Sequence, residues 1–174
     1  MRELAGKSRG KDNVRGIWTK RKDEQPRGTP ERWQHGAGAT SVAGMRIEHR
    51  GEAAAAIGCG VGQIAKSLVF RGRESGRPLL VIVSGTNRVN EPAFAALVGE
   101  PIERATPDFV RETTGYAIGG IPPVGLVRPM SVWMDRDLLV YEQIWAAAGT
   151  PFAVFSIPPR ELQRVSGAAL VDVK

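Results

Sequence analysis

Apolar residues come in short runs along this chain, and their period changes from run to run. Residues 63–70 read as a short strand that ends at Arg71-Gly72. A strand's period of two puts Ile64, Lys66, Leu68 and Phe70 on one side of it. After the turn at Thr86-Asn87-Arg88, residues 91–98 read as a short helix. Gly99 ends it and Pro101 prevents its resumption. Residues 106–112 open with Thr106 as N-cap, proline at the first helical position and an early Asp108, which predicts a second helix. Residues 130–134 read as a strand, with Asp135 placed to cap a brief helix over 136–139. The apolar runs 143–148 and 152–157 flank Gly149-Thr150-Pro151 and suit a hairpin. Residues 158–166 read as a helix stopped by Gly167, and 170–173 as a last strand. No internal repeat is visible. Strands interspersed with helices predict an α/β domain.

Lys66 breaks this pattern. A lysine on the inward face of an apolar strand, with no carboxylate nearby in sequence, is costly to bury. The plain alternative is a lysine at the mouth of a strand, its stem along the core and its head in water. A second segment, residues 113–125, is rich in glycine and proline yet nearly devoid of polar side chains. Its polar contacts must come from its backbone, which glycines let approach a ligand closely. Such a loop can offer fixed N–H groups to a carbonyl oxygen. The alternative is a tight apolar turn under a sheet.

Composition limits the remaining chemistry. The chain has 174 residues, enough for one domain with a core. Its single cysteine, Cys59, excludes an internal disulfide and reads as a small packed hydrophobe. No apolar run approaches a membrane span and no signal peptide is apparent. Both histidines, His35 and His49, lie before Gly51. Residues 51–174 therefore lack the means for a zinc site, a Ser-His-Asp triad or a Cys-His pair. No phosphate-cradling glycine loop followed by Lys-Ser/Thr is present. Asp135 and Asp137 stand close together, where the bland reading is helix capping and a solvated face.

Charge is unevenly spread. Residues 1–50 hold 12 of the 24 Lys/Arg but only 6 of the 18 Asp/Glu, so the net charge of +6 belongs to them and residues 51–174 balance. A DNA-binding reading taken from the basic pI would describe this tail and not the domain. No helix-turn-helix pattern or basic helix lies within 51–174. The tail is rich in Gly, Arg, Lys and Gln, the composition of a segment of low order. Three readings of it stay open: a basic arm that helps hold RNA, a replaced terminus, or an artefact of the start site or reading frame.

The lysine strand and the glycine-proline loop, in this order, resemble the YbaK/prolyl-tRNA synthetase editing-domain family. Residues 52–59 look like that family's Ala-rich helix, and 78–89 like its next strand and turn. Gly119 to Pro123 fits its GxxxP loop, Asp135 fits its strand-then-Asp pattern, and 147–162 fit its closing strands and last helix. The resemblance covers residues 51–174. The family's usual opening helix and strand find no counterpart in residues 1–50.

The resemblance implies a mixed, barrel-like β-sheet with surrounding helices. It implies trans-editing in the cytoplasm, the hydrolysis of the ester bond of a mischarged aminoacyl-tRNA carrying a small amino acid. The tRNA for proline is the implied carrier. Lys66, Gly119 and Gly120 are the implied catalytic residues. Lys66 would anchor the terminal adenosine or its phosphate, and loop N–H groups would hold the carbonyl. Ser67, Ile121, Pro122, Pro123 and Asp135 are the implied substrate-binding residues. No metal and no cofactor are expected. The expected partners are the acceptor end of aminoacyl-tRNA and a synthetase, with no membrane and no sequence-specific DNA. The alternative is a non-catalytic homologue that binds tRNA or a synthetase, inactive because the opening helix and strand are missing.

Overall fold

Leu79, Leu80, Val81, Ile82 and Val83 follow one another in the chain and none is more than 4% exposed. A strand apolar on both faces needs a covering layer on each. This strand, β3 (Pro78–Ser84), lies near the middle of a mixed sheet. The structure, a computed structural model, describes residues 39–41 and 50–174. Across the sheet the order is β1 (Ala39–Ser41), β7 (Ala153–Ile157), β6 (Ile144–Ala147), β2 (Ile64–Gly72), β3, β5 (Ser131–Asp135) and β8 (Ala169–Val171). A short β4 (Ile102–Arg104) pairs with the end of β2. β2 and β3 are antiparallel, as are β6 and β7, whereas β6 lies parallel to β2 and both β5 and β8 run parallel to their neighbours.

Paired residues share a face, so the register sorts the core. On one face Phe70, Leu79, Val81 and Val83 cluster with Phe94 of α2 (Glu91–Val98). The Phe94 ring meets Trp133 edge-on at 5.1 Å, and burying one such side chain is worth roughly 1.5–3 kcal/mol. On the other face Ala65, Ile82 and Met134 pack with Ile144 and with Leu162 of α4 (Pro159–Ser166). Val69 and Leu80 pack there against Val110 of α3 (Pro107–Thr114) and Ile121. α1 (Arg50–Ile57) precedes β2 and ends in a left-handed Gly58.

Each of these helices is closed by local caps. Asn90 accepts from the Ala93 N–H and Thr106 from the Phe109 N–H, while Gly99, Gly115 and Gly167 terminate α2, α3 and α4 in left-handed conformations. The hairpin at residues 149–151 is present as β6–β7. Among the described residues no helix is long and apolar enough to cross a membrane.

One short strand lies in the tail: β1 pairs Ala39 with Phe155 and Ser41 with Ala153. The remainder of the tail, and with it the question of a basic arm, lies outside the described residues. Deleting residues 1–44 should therefore lower the melting temperature relative to deleting 1–38, because β7 loses its outer partner. The expected drop is about 2–4 °C, the shift that about 1 kcal/mol produces in a domain of this size. Identical melting curves for the two truncations would show that the β1 pairing adds nothing.

Candidate active site

β2 carries Lys66 and Ser67 through a gap in the sheet. One edge of β2 is paired to β3 from Ala65 to Arg71. On the other edge β6 pairs only at Ile64 and Ala65, and β4 only from Phe70 to Gly72. Among the described residues no strand flanks 66–68 on that edge. A break of this kind lets a ligand approach strand backbone and the side chains beside it.

The two side chains leave β2 on opposite faces. Lys66 stands opposite Val83, on the face of Leu68 and Phe70, as the strand period predicts. Ser67 stands opposite Ile82, on the face of Ala65 and Val69. Both faces are covered, so Lys66 is neither fully buried nor out in solvent; it is half-buried. Its Nζ donates to the main-chain carbonyl of Asn87 at 2.7 Å. The Ser67 hydroxyl is shielded from solvent and has no hydrogen-bond partner among the described residues. A shielded, unbonded hydroxyl costs free energy and calls for an explanation, such as a ligand or water.

The glycine-proline loop lies on the Ser67 face. Its ends are tied, because the Val127 N–H donates to the Thr114 carbonyl and Arg128 pairs with Glu112. Residues 115–126 thus form a closed loop of the Ω type. Ile121 packs with Val69 and Leu80, and Pro122 and Pro123 are fully buried, so these three side chains anchor the loop. At its tip the Gly120 N–H donates to the Ala117 carbonyl at 3.1 Å, with Gly119 at φ +92°. That is the arrangement of a type II turn, whose third residue favours glycine. Gly120 is buried against the β6–β7 turn, where a Cβ would fall 2.8 Å from the main-chain Cα and carbonyl carbon of Thr150. The two glycines therefore have different causes: one supplies a left-handed φ, the other a close backbone approach. With the Gly120 N–H committed to the turn, the exposed Gly119 N–H is the better candidate donor to a ligand.

Asp135 lies on the Lys66 face, 1% exposed, with both oxygens engaged. One accepts from the Ser84 N–H (3.1 Å) and the Asn87 side-chain amide (2.8 Å), the other from the Asp137 N–H (3.0 Å). Such a carboxylate ties β5 to the turn after β3. Asp137 accepts from the same Asn87 amide and from Lys174 Nζ, at 2.8 and 2.7 Å. The Lys174 hydrogen bond, then that of Asn87, holds the Asp137 carboxyl below its ordinary value. A depressed folded value adds stability above the ordinary carboxylate range, and that stability is lost as pH falls through the lowered value. Lys174→Met should accordingly lower the melting temperature near neutrality and meet the wild-type curve below about pH 4, which makes the acid limb of its profile flatter. An unchanged acid limb would show that the pair contributes nothing.

Several features were not foreseen from sequence. Asn87 is one; only its place in a turn marked it. Gly85 is another, packed so closely beneath the Val61 carbonyl that a Cβ would fall 1.9 Å from its oxygen. A cavity of about 330 Å³ lies under the far limb of the loop, lined by Pro123, Val124, Leu126, Met130, Val132 and Val165 among others. Neither Lys66, Ser67, Gly119 nor Gly120 lines it. Cys59 is partly buried, and that burial raises its thiol above its ordinary value.

Comparison with known proteins adds to this geometry. The profile of the aminoacyl-tRNA editing domain matches residues 47–165. A solved structure described as a candidate trans-editing enzyme for prolyl tRNA synthetase is 46% identical and superposes with a TM-score of 0.74, covering 84% of this chain and 92% of that one. The uncharacterised protein YwhH of Bacillus subtilis is 31% identical over 115 residues, 66% of this chain and 73% of YwhH. EbsC of Enterococcus faecalis, described as a candidate Cys-tRNA(Pro)/Cys-tRNA(Cys) deacylase, is 22% identical over 69% of this chain and 73% of its own length. The chain also matches the proline–tRNA ligase of Limosilactobacillus fermentum, 30% identical over 50% of this chain but spanning only 16% of the ligase.

Proposed function

The chain belongs to the aminoacyl-tRNA editing-domain family, and from that premise we propose that it hydrolyses the ester of a mischarged aminoacyl-tRNA bearing a small amino acid. The tRNA for proline is the proposed carrier, since similar proteins are described by their link to prolyl-tRNA synthetase or to Cys-tRNA(Pro). The observation that carries the reading is the gap in the sheet at residues 66–68. It has a half-buried lysine on one side and, on the other, a rigid loop that can offer backbone donors.

In this reading Lys66 holds the terminal adenosine or its phosphate, and so fixes the ester in the gap. An ammonium has three donors, so a bond to Asn87 is compatible with one to the ligand. A water oxygen attacks the ester carbonyl carbon. The oxyanion that forms takes a hydrogen bond from the Gly119 N–H. The tetrahedral species collapses with cleavage of the bond to the ribose oxygen, which receives a proton. The products are the free amino acid and a tRNA with its terminal hydroxyl restored. The neighbouring ribose hydroxyl is the proposed carrier of that proton. Ser67, with its unbonded hydroxyl, contacts the aminoacyl group, and the buried Ile121, Pro122 and Pro123 make the loop too stiff to yield to a large side chain. Asp135 serves this site through the turn it ties.

The test is a panel of tRNAs charged with alanine, cysteine, serine, proline and phenylalanine. Hydrolysis should favour the small residues over phenylalanine. A rigid pocket discriminates a single methylene by only about 10–200-fold, so graded preference is expected among the small ones. Equal rates for alanine and phenylalanine would remove the size argument.

A further inference from the structure

We infer that Asn87 is the positioning residue for Lys66, acting through a clamp that joins the turn after β3 to the end of β5. This rests on the reading of Lys66 as the substrate anchor. Lysine has a long flexible stem, and fixing its head requires an acceptor that is itself fixed. The Asn87 carbonyl is such an acceptor, 2.7 Å from Lys66 Nζ.

Five bonds hold that carbonyl in place, three made by Asn87 and two by Ser84. The Asn87 N–H closes a turn on the Ser84 carbonyl at 3.0 Å. The two hydrogens of its side-chain amide go to Asp135 and Asp137, each at 2.8 Å. Ser84 is tied in turn, its N–H to Asp135 and its hydroxyl to the Gly62 carbonyl at 2.8 Å. The amide sits between two carboxylates as a donor to both, a place where an aspartate would add a third negative charge and a serine would reach only one. Asparagine is therefore specified at 87 by the clamp, while its main chain presents the acceptor to Lys66. A catalytic group held by a partner that is itself held in this way is preorganised for its ligand.

The test uses the full chain with Asn87→Ala and reads Lys66 directly. Lysine amines are labelled with formaldehyde and borohydride, and the Lys66 peptide is quantified by mass spectrometry against denatured protein. Labelling of Lys66 should rise several-fold in Asn87→Ala, with the melting temperature lowered by several degrees and the fold kept. Single-turnover hydrolysis of alanyl-tRNA should fall by about tenfold to a hundredfold, the loss expected from a misplacement near 1 Å. If Asn87→Ala does not fold, Asp137→Ala removes one of the two anchors at a partly exposed position and should move both readouts the same way by less. Unchanged Lys66 labelling overturns the inference, even where Lys66→Ala abolishes hydrolysis. Raised labelling with an unchanged rate overturns it too, since Lys66 would then work without its clamp. Should Lys66→Ala keep full activity, the reading of the anchor fails, and the inference with it.

Discussion

Replacing Lys66 by alanine is expected to reduce hydrolysis of alanyl-tRNA to the uncatalysed rate while the domain stays folded. The ammonium supplies the charge on its side of the gap, and its bond to the Asn87 carbonyl is the measure of how firmly it is placed. Its loss leaves that carbonyl short of one donor, a cost of about 1 kcal/mol, or a melting shift of about 2–4 °C for a chain of this length. A fall of three orders of magnitude in rate would correspond to about 4 kcal/mol of lost transition-state stabilisation. The two effects are thus well separated. Lys66→Met, which keeps the apolar stem on the face of Leu68 and Phe70, checks the separation. Near-wild-type hydrolysis in both variants, across several mischarged tRNAs, would refute the assignment.

The second large effect is expected at Gly120. A Cβ there would fall 2.8 Å from main-chain atoms of Thr150, which cannot turn aside as a flexible side chain would. Either the loop tip or the β6–β7 turn must move, and the Gly119 N–H moves with it. Loss of one oxyanion donor costs roughly two to three orders of magnitude in rate, so Gly120→Ala should approach that figure. It should also cost about 1–3 kcal/mol of stability, as overpacking does. Gly119→Ala is the companion variant. Gly119 is exposed, and a Cβ there would meet nothing nearer than Pro151 at 3.8 Å, but it sits at φ +92°. Its penalty is therefore backbone strain at the turn and not a collision, and it should lower the rate with a smaller loss of stability. The measurement is single-turnover hydrolysis beside equilibrium binding of a non-hydrolysable aminoacyl-tRNA analogue. Collapsed binding with an unchanged saturated rate would make the loop a docking surface.

The strand with the lysine, the helix caps and the hairpin were legible because each rests on local chemistry. Alternation placed Lys66 with Leu68 and Phe70, and the Thr106 and Gly99 signals each found the backbone partner they predict. β4 was not legible: it is three residues long, Ile-Glu-Arg, and exists because β2 offers an edge. β1 was hidden for the same reason, its three residues ordered by β7 within a polar tail. The inward face of β2 had no single answer in sequence, since helix and loop cover opposite sides of it. Lys66 and the glycine loop consequently lie on two faces of one strand. The roles of Gly119 and Gly120 were also merged in sequence. The turn bond and the approach to Thr150 separate them, and neither can be read from a GxxxP spacing.

Turnover is the most direct measure of the central claim, that this domain cleaves the ester and does not merely hold it. Wild-type protein at a small fraction of the concentration of alanyl-tRNA for proline should release free alanine until most of the tRNA is discharged, with each protein molecule acting many times. A binding module would instead slow the spontaneous loss of alanine in proportion to the protein added, and that result would contradict the account.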